Sequence, residues 1–138
     1  MQSDVAGIRR QKILAINFKN TLADLLQDLK DNVLTERDEQ RHLATAIVAI
    51  ENVEPSKICE RSRKLALDDS LLESIRVRNK DFFVNETTIF QGLPENIVQK
   101  YKKILISDSR ITDDVLNIIW AYVDHLVRYI TAWSDLHK

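Results

Sequence analysis

Two glycines, two prolines and one cysteine are all that 138 residues contain of the types that most often punctuate or staple a backbone. So little glycine and proline leaves scant material for hairpin turns or a Gly-rich phosphate loop, and it favours helices. The lone Cys59 excludes an internal disulfide and fits a reducing compartment, where it reads as a small half-buried hydrophobe. Neither sign of charge is in excess: 20 basic side chains face 21 acidic ones for a net charge of -1. A balance so even lacks the global field of a dedicated nucleic-acid binder. The stretch up to Lys12 is polar and basic without an apolar run, so no signal peptide is expected. The expected location is therefore intracellular and not secreted, which reduces Asn85-Glu86-Thr87 from a glycosylation acceptor to a plain triplet.

What the chain does contain is helical periodicity. Leu14, Phe18, Leu22, Leu25, Leu29 and Val33 recur at three- and four-residue steps, one stripe of a helix spanning Ile8 to Val33. Thr35 announces a second helix, with Asp38 in the capping-box position, and Leu43, Ile47 and Ile50 form its core side. Its first turns, ERDEQRH, are wholly polar and are expected to project into water. Pro55 suits the first position of a short helix carrying Ile58, Cys59 and Leu65. Asp68 or Asp69 caps another, with Leu71, Leu72, Ile75 and Phe82 on one side. Asn79 falls on that side too and is expected to help end the helix through a local hydrogen bond. Asn85 could cap a last turn through Phe90, closed by Gly92 in the left-handed conformation. Pro94 opens a helix with Ile97, Val98, Tyr101, Ile104 and Leu105.

Thr112 caps the final helix, whose apolar positions from Leu116 to Trp133 leave only a narrow polar stripe. Asp114, Asn117, Asp124, His125 and Arg128 interrupt it, so it is no membrane span, which needs about 20 predominantly apolar residues. The fold class that follows is all-α: residues 1–138 as a single compact bundle of five or six helices, the C-terminal helix central and Trp120 in the core.

The search for chemistry is short. GxSxG, Walker-type and GxGxxG motifs are missing, as is any zinc-spaced Cys/His set, and no catalytic, metal or cofactor site is assigned. Cys59 would serve as a nucleophile only with a histidine folded beside it. Glu39-x-x-His42 has the spacing with which di-iron bundles aim a carboxylate and an imidazole at one metal, but such sites need a second pair. The ordinary reading is a surface histidine paired with Asp38 or Glu39. His125 reads as a hydrogen-bonded side chain at the core margin, and His137 carries no signal. Arg61, Arg63, Lys64, Arg76, Arg78 and Lys80 form a candidate basic face, interleaved with acids and more simply a solvated surface. RNKDFFVNETTIF, residues 78–90, crowds three of the four phenylalanines into thirteen positions where a helix breaks up. Phe82, Phe83 and Phe90 therefore either plug one end of the bundle, the favoured reading, or form a candidate interaction surface for a partner.

Three phrases, NFKNTLADLLQDL (17–29), RNKDFFVNETTIF (78–90) and VLNIIWAYVDHLVRYI (115–130), together resemble a group of small proteins encoded by large nucleocytoplasmic DNA viruses. Those proteins show an NFKNTL-type opening, a later motif resembling NRDEKFF and a terminal helix of IWKWFDSF character. Residues 35–65 lie outside the likeness, and from position 81 onward the chain departs from the pattern. The resemblance implies a viral setting and supplies no active site. The leading expectation is a non-catalytic structural or interaction protein, viral and a candidate virion component, located in the host cytoplasm or the virion, with an unidentified protein partner, no membrane and an open oligomeric state. A nucleic-acid-binding module using the basic residues of 57–80 is the alternative, and a metal-dependent helical-bundle enzyme the remote third.

Overall fold

The computed structural model describes residues 2–85 and 93–136, and every regular element among them is helical. Eight helices are found there: α1 (Gln2–Asn32), α2 (Arg37–Glu51), α3 (Pro55–Arg61), α4 (Lys64–Leu67), α5 (Asp69–Arg76), α6 (Asp81–Asn85), α7 (Glu95–Ser107) and α8 (Asp113–Leu136). The sequence predicts five or six. The surplus comes from the breaks after Arg61 and Arg76, where hydrogen bonding ends a helix without glycine or proline.

Phe18, Leu22, Leu25 and Leu29 of α1 are buried, as their spacing requires, with Leu14 and Val33 partly covered at the margins. The cap of α2 is displaced by one residue from the expected Thr35. Glu36 occupies it, and its backbone N–H donates to Glu39 Oε1 at 3.2 Å. A glutamate reaches back across a turn where Asp38 is too short, which moves the box along by one. Pro55 opens α3 as expected, but the helix stops at Arg61 and Leu65 falls on the separate α4. Between them the buried Ser62 N–H is shared by the Ile58 and Cys59 carbonyls at 3.0 and 3.1 Å.

Asp68 caps α5 by accepting from the Ser70 and Leu71 N–H groups at 2.9 and 3.1 Å. The helix then ends in a Schellman arrangement. Arg78 N–H donates to Ile75 O (3.1 Å), Asn79 N–H to Ser74 O (2.8 Å), and Arg78 takes the left-handed conformation at φ 57°. Asn79 is exposed and off the buried side; its Oδ1 accepts from Asp81 N–H at 3.0 Å and so opens α6. Phe82 thus belongs to α6, while the turn anticipated from Asn85 through Phe90 to Gly92 lies outside the described residues. Pro94 precedes α7, and Thr112 caps α8, its Oγ1 accepting from Val115 N–H at 3.3 Å.

The two longest helices, α1 and α8, pack along each other. Trp133 faces the start of α1 at Ile8 and Ile16, while Val115 and Tyr122 face its end at Leu25 and Val33, so the pair is antiparallel. α1 also carries α2 and α3, α8 carries α4 and α5, and α6 lies against α5 and α7. A hydrophobic cluster runs through these helices, with Ile119, Trp120, Val123, Leu126, Ile130 and Trp133 as the contribution of α8. Ile118, on the same helix, stays half exposed. No helix among the described residues is long and apolar enough to cross a membrane.

Candidate functional site

The α5–α6 break decides how the phenylalanines lie. Phe82 and Phe83 are both buried, their rings edge-to-face with centroids 5.3 Å apart. Both lie against Trp120 of α8, at 5.9 and 4.9 Å. Arg78 closes the cluster from the solvent side: its guanidinium stacks 5.5 Å from the Trp120 ring and donates twice to Asp124, at 2.7 and 2.6 Å. That bond holds the Asp124 carboxyl below its ordinary range and raises Arg78. Adjacent positions on one helix point about 100° apart, so burying both rings takes a wide core-facing stripe. Phe82 and Phe83 are therefore removed from the candidate interaction surface, and Phe90 lies outside the described residues.

The candidate basic face is divided among separate duties. Arg63 donates to Ser134 Oγ at 3.3 Å and stacks 5.9 Å from the Trp133 ring. Arg76 clamps Glu73 on its own turn at 2.6 and 2.8 Å, and Arg78 is engaged with Asp124. Arg61, Lys64 and Lys80 are exposed. Two of these cations thus serve as lids on the two tryptophans of α8, a role that sequence spacing does not announce.

The polar opening of α2 does not simply project into water. Glu39 is 1% exposed and accepts a two-pronged bond from Arg110, Nη1 to Oε1 at 2.7 Å and Nη2 to Oε2 at 2.8 Å. Arg110 also grips Asp108 through Nε and Nη2, both at 3.0 Å. The guanidinium beside them lowers Glu39 against the opposing effect of burial, and it brings Asp108 down to about 2. Gln40 donates to the Lys30 and Leu34 carbonyls, tying the same turn to the end of α1. His42 is partly buried and pairs with neither Asp38 nor Glu39. Its Nδ1 lies 3.0 Å from the hydroxyl of Tyr101, on α7. Burial, helped by the Glu39 and Asp38 carboxylates, pushes that hydroxyl well above the usual tyrosine range. Among the described residues, no three His, Cys, Asp or Glu side chains gather closely enough to hold a metal ion.

Two signals for this network are present in the sequence. Glu39 sits four residues before Leu43, in register with the buried stripe, and Asp108-Ser-Arg110 has the spacing of a turn in which Asp108 Oδ1 accepts from Arg110 N–H, here at 2.8 Å. Cys59 is buried, and desolvation together with neighbouring Glu60 pushes its thiol up to about 12, which disfavours the thiolate a nucleophile needs. His125 is exposed and stacks on Tyr129 at 6.4 Å, away from the core margin where the sequence places it.

Two grooves flank the α1–α8 pair at opposite ends. The larger, about 380 Å³, lies between Ile8, Lys12, Ala15 and Ile16 of α1, Glu54 to Ser56 ahead of and within α3, and Trp133. The smaller, about 110 Å³, lies between Leu25, Asp28, Leu29 and Val33 of α1 and Val115, Ile118 and Tyr122 of α8. Tyr122 donates to Asp28 Oδ2 at 3.0 Å across it. No family model matches the chain, and neither the curated proteins nor the solved structures yield a match.

Proposed function

We propose that this chain is a non-catalytic structural protein that works by binding protein, with the antiparallel α1–α8 pair as the spine of the bundle and α8 at its centre. One observation carries the reading. The N-terminal half of α1 shows Val5, Ile8, Ile13 and Ile16 to solvent at 61, 55, 51 and 46% exposure, away from the face that holds Phe18 and Leu22. Isolated exposed apolar residues need no explanation, but four within twelve positions of one helix form a patch of the kind that marks a protein contact. The likeness of the three motifs to viral proteins supplies the setting: a protein of an infected cell or its virion. Engagement of Arg63 with Trp133, of Arg76 with Glu73 and of Arg78 with Trp120 favours this reading over the nucleic-acid alternative.

The test is capture of partners by the immobilised protein and by an Ile8→Asp/Ile16→Asp variant. Both side chains are exposed, so the variant keeps the parent's melting temperature and loses the captured protein. Equal capture by the two proteins overturns the reading.

A further inference from the structure

The two ends of the α1–α8 pair differ in charge as well as in shape. Beside the larger groove, α1 carries Arg9, Arg10 and Lys12, with Lys19 further along donating to the Glu51 and Val53 carbonyls, and Glu54 is the carboxylate in the lining. Arg9, Arg10 and Lys12 are exposed there, alternating with the exposed Val5, Ile8 and Ile13. At the other end Asp24, Asp28 and Asp31 follow along α1 with Lys30 as their only opponent, and Asp114 stands one turn before Ile118 on α8. Asp28 lines the smaller groove and accepts from the Tyr122 hydroxyl, and Asp24 precedes it by one turn of α1. Ile118 is half exposed beside them. Residues 12 and 29, at the middle of each groove along α1, are about 25 Å apart at 1.5 Å per residue. That exceeds the Debye length of about 10 Å at 0.1 M salt, so each end presents its own sign and the net charge of -1 conceals the division.

We infer that the occupant of the basic, apolar end is the acidic, apolar end of a second copy of this chain, giving head-to-tail assembly. The inference rests on the protein-binding reading above and names the partner. Charge selects it over the alternatives. A twofold contact through the start of α1 would set Arg9, Arg10 and Lys12 against their own copies. A membrane surface is flat, whereas the larger groove is concave and Lys12 stands within the apolar stripe between Ile8 and Ile16. An acidic end carrying Ile118 meets both requirements, supplying carboxylates for the cations and an aliphatic side chain for the groove. Because the two surfaces differ, the contact is heterologous and extends into open chains or closes into a ring.

The experiment uses the full chain and two charge-reversed variants. Arg9→Glu/Lys12→Glu reverses the basic end, and Asp24→Lys/Asp114→Lys reverses the acidic one; all four side chains are exposed, and melting curves confirm that both variants fold. Mass is followed by sedimentation velocity against concentration, at about 0.01 M and about 0.1 M salt, where the Debye length falls from about 30 to about 10 Å. The parent is expected to build species beyond the dimer or a closed ring, more strongly at low salt. Each variant alone should associate about tenfold more weakly or worse, a difference of about 1.4 kcal/mol. Mixed one to one, the variants oppose unlike charges at both contacts, the native one and the one reversed on both sides, and should associate more strongly than either variant alone. A monomeric parent at every concentration overturns the inference, as does a closed twofold dimer indifferent to Asp24→Lys/Asp114→Lys. Association with phosphatidylserine vesicles through the start of α1, without contact between copies, overturns it in favour of a membrane surface. A monomeric parent whose Ile8→Asp/Ile16→Asp variant still loses a captured protein leaves the protein-binding reading in place; with equal capture, both fall.

Discussion

Two arginines each close a long-range contact by gripping a carboxylate with two parallel bonds. Arg110 joins the α7–α8 connection to α2 through Glu39, and Arg78 joins the α5–α6 break to α8 through Asp124. The bonds are alike in length, and their surroundings are not. Glu39 is withdrawn from water, whereas the Arg78 and Asp124 side chains are 45 and 43% exposed. A buried carboxylate has no solvent to fall back on, so its partner is indispensable once the charge is there. An exposed pair returns to water at little loss, and median surface pairs contribute about 0–1 kcal/mol. At the Arg78 junction the adhesion comes instead from Phe82, Phe83 and Trp120, with the guanidinium lying over the indole. One junction is held by charge, the other by rings.

The largest effects should separate the two. Arg110→Ala strands the Glu39 carboxylate and is expected to cost about 3–5 kcal/mol. Trp120→Ala removes the ring on which both phenylalanines rest and is also expected to cost about 3–5 kcal/mol, from lost burial and the cavity left behind. Urea denaturation midpoints of the two variants check both figures. An Arg110→Ala protein as stable as its parent would mean that Glu39 is hydrated, and the contrast between the junctions would disappear.

Acid sharpens the same contrast. Arg110 lowers Glu39 and brings Asp108 to about 2, so both bind protons less readily folded than unfolded, where carboxyls titrate near pH 4. Their contribution is present above the unfolded values and is lost as pH falls through the folded ones, a window from about pH 4 down to about 2. In Arg110→Ala the sign for Glu39 reverses, because an unpaired buried carboxylate is easier to protonate. The stability deficit of the variant should therefore be widest near neutrality and narrow on acidification toward pH 4. A deficit independent of pH would contradict a charged, buried Glu39.

How much of this was legible in the sequence follows the same division. The ring junction was partly readable, because three phenylalanines beside a failing helix suggest a plug and Trp120 sits mid-stripe in α8. Arg78 was not readable as its lid, since Asp124 is 46 residues away and nothing local pairs them. The breaks after Arg61 and Arg76 were missed because neither uses glycine or proline; backbone and side-chain hydrogen bonds end those helices, and such bonds leave a weak compositional trace. Glu39 was misread for the opposite reason. Its position matched the buried stripe, but its chemistry argued for water, and only the long-range partner Arg110 resolves that conflict. The polarity of the α1–α8 pair is written plainly in the order of charges along residues 9–31, yet it carries meaning only once the fold lays apolar grooves beside both groups.

The smallest effect concerns Arg78 itself, where two modest terms oppose each other. Its side chain gains a surface ion pair, about 0.2–1 kcal/mol, and a stack on Trp120 of about 0.5–1 kcal/mol. Its backbone, at φ 57°, occupies the position that ends many helices with glycine, and a residue with a Cβ is strained there by roughly 1–2 kcal/mol. Arg78→Ala forfeits the side-chain terms and keeps the strain, so it should lower stability by about 1–2 kcal/mol. Arg78→Gly forfeits the same terms and relieves the strain, so it should lie within about 1 kcal/mol of the parent and above the alanine variant. Added salt should weaken the parent more than either variant, since only the parent holds the exposed pair. If the glycine and alanine variants unfold at the same urea concentration, the left-handed turn carries no strain, and Arg78 is kept there for its side chain alone.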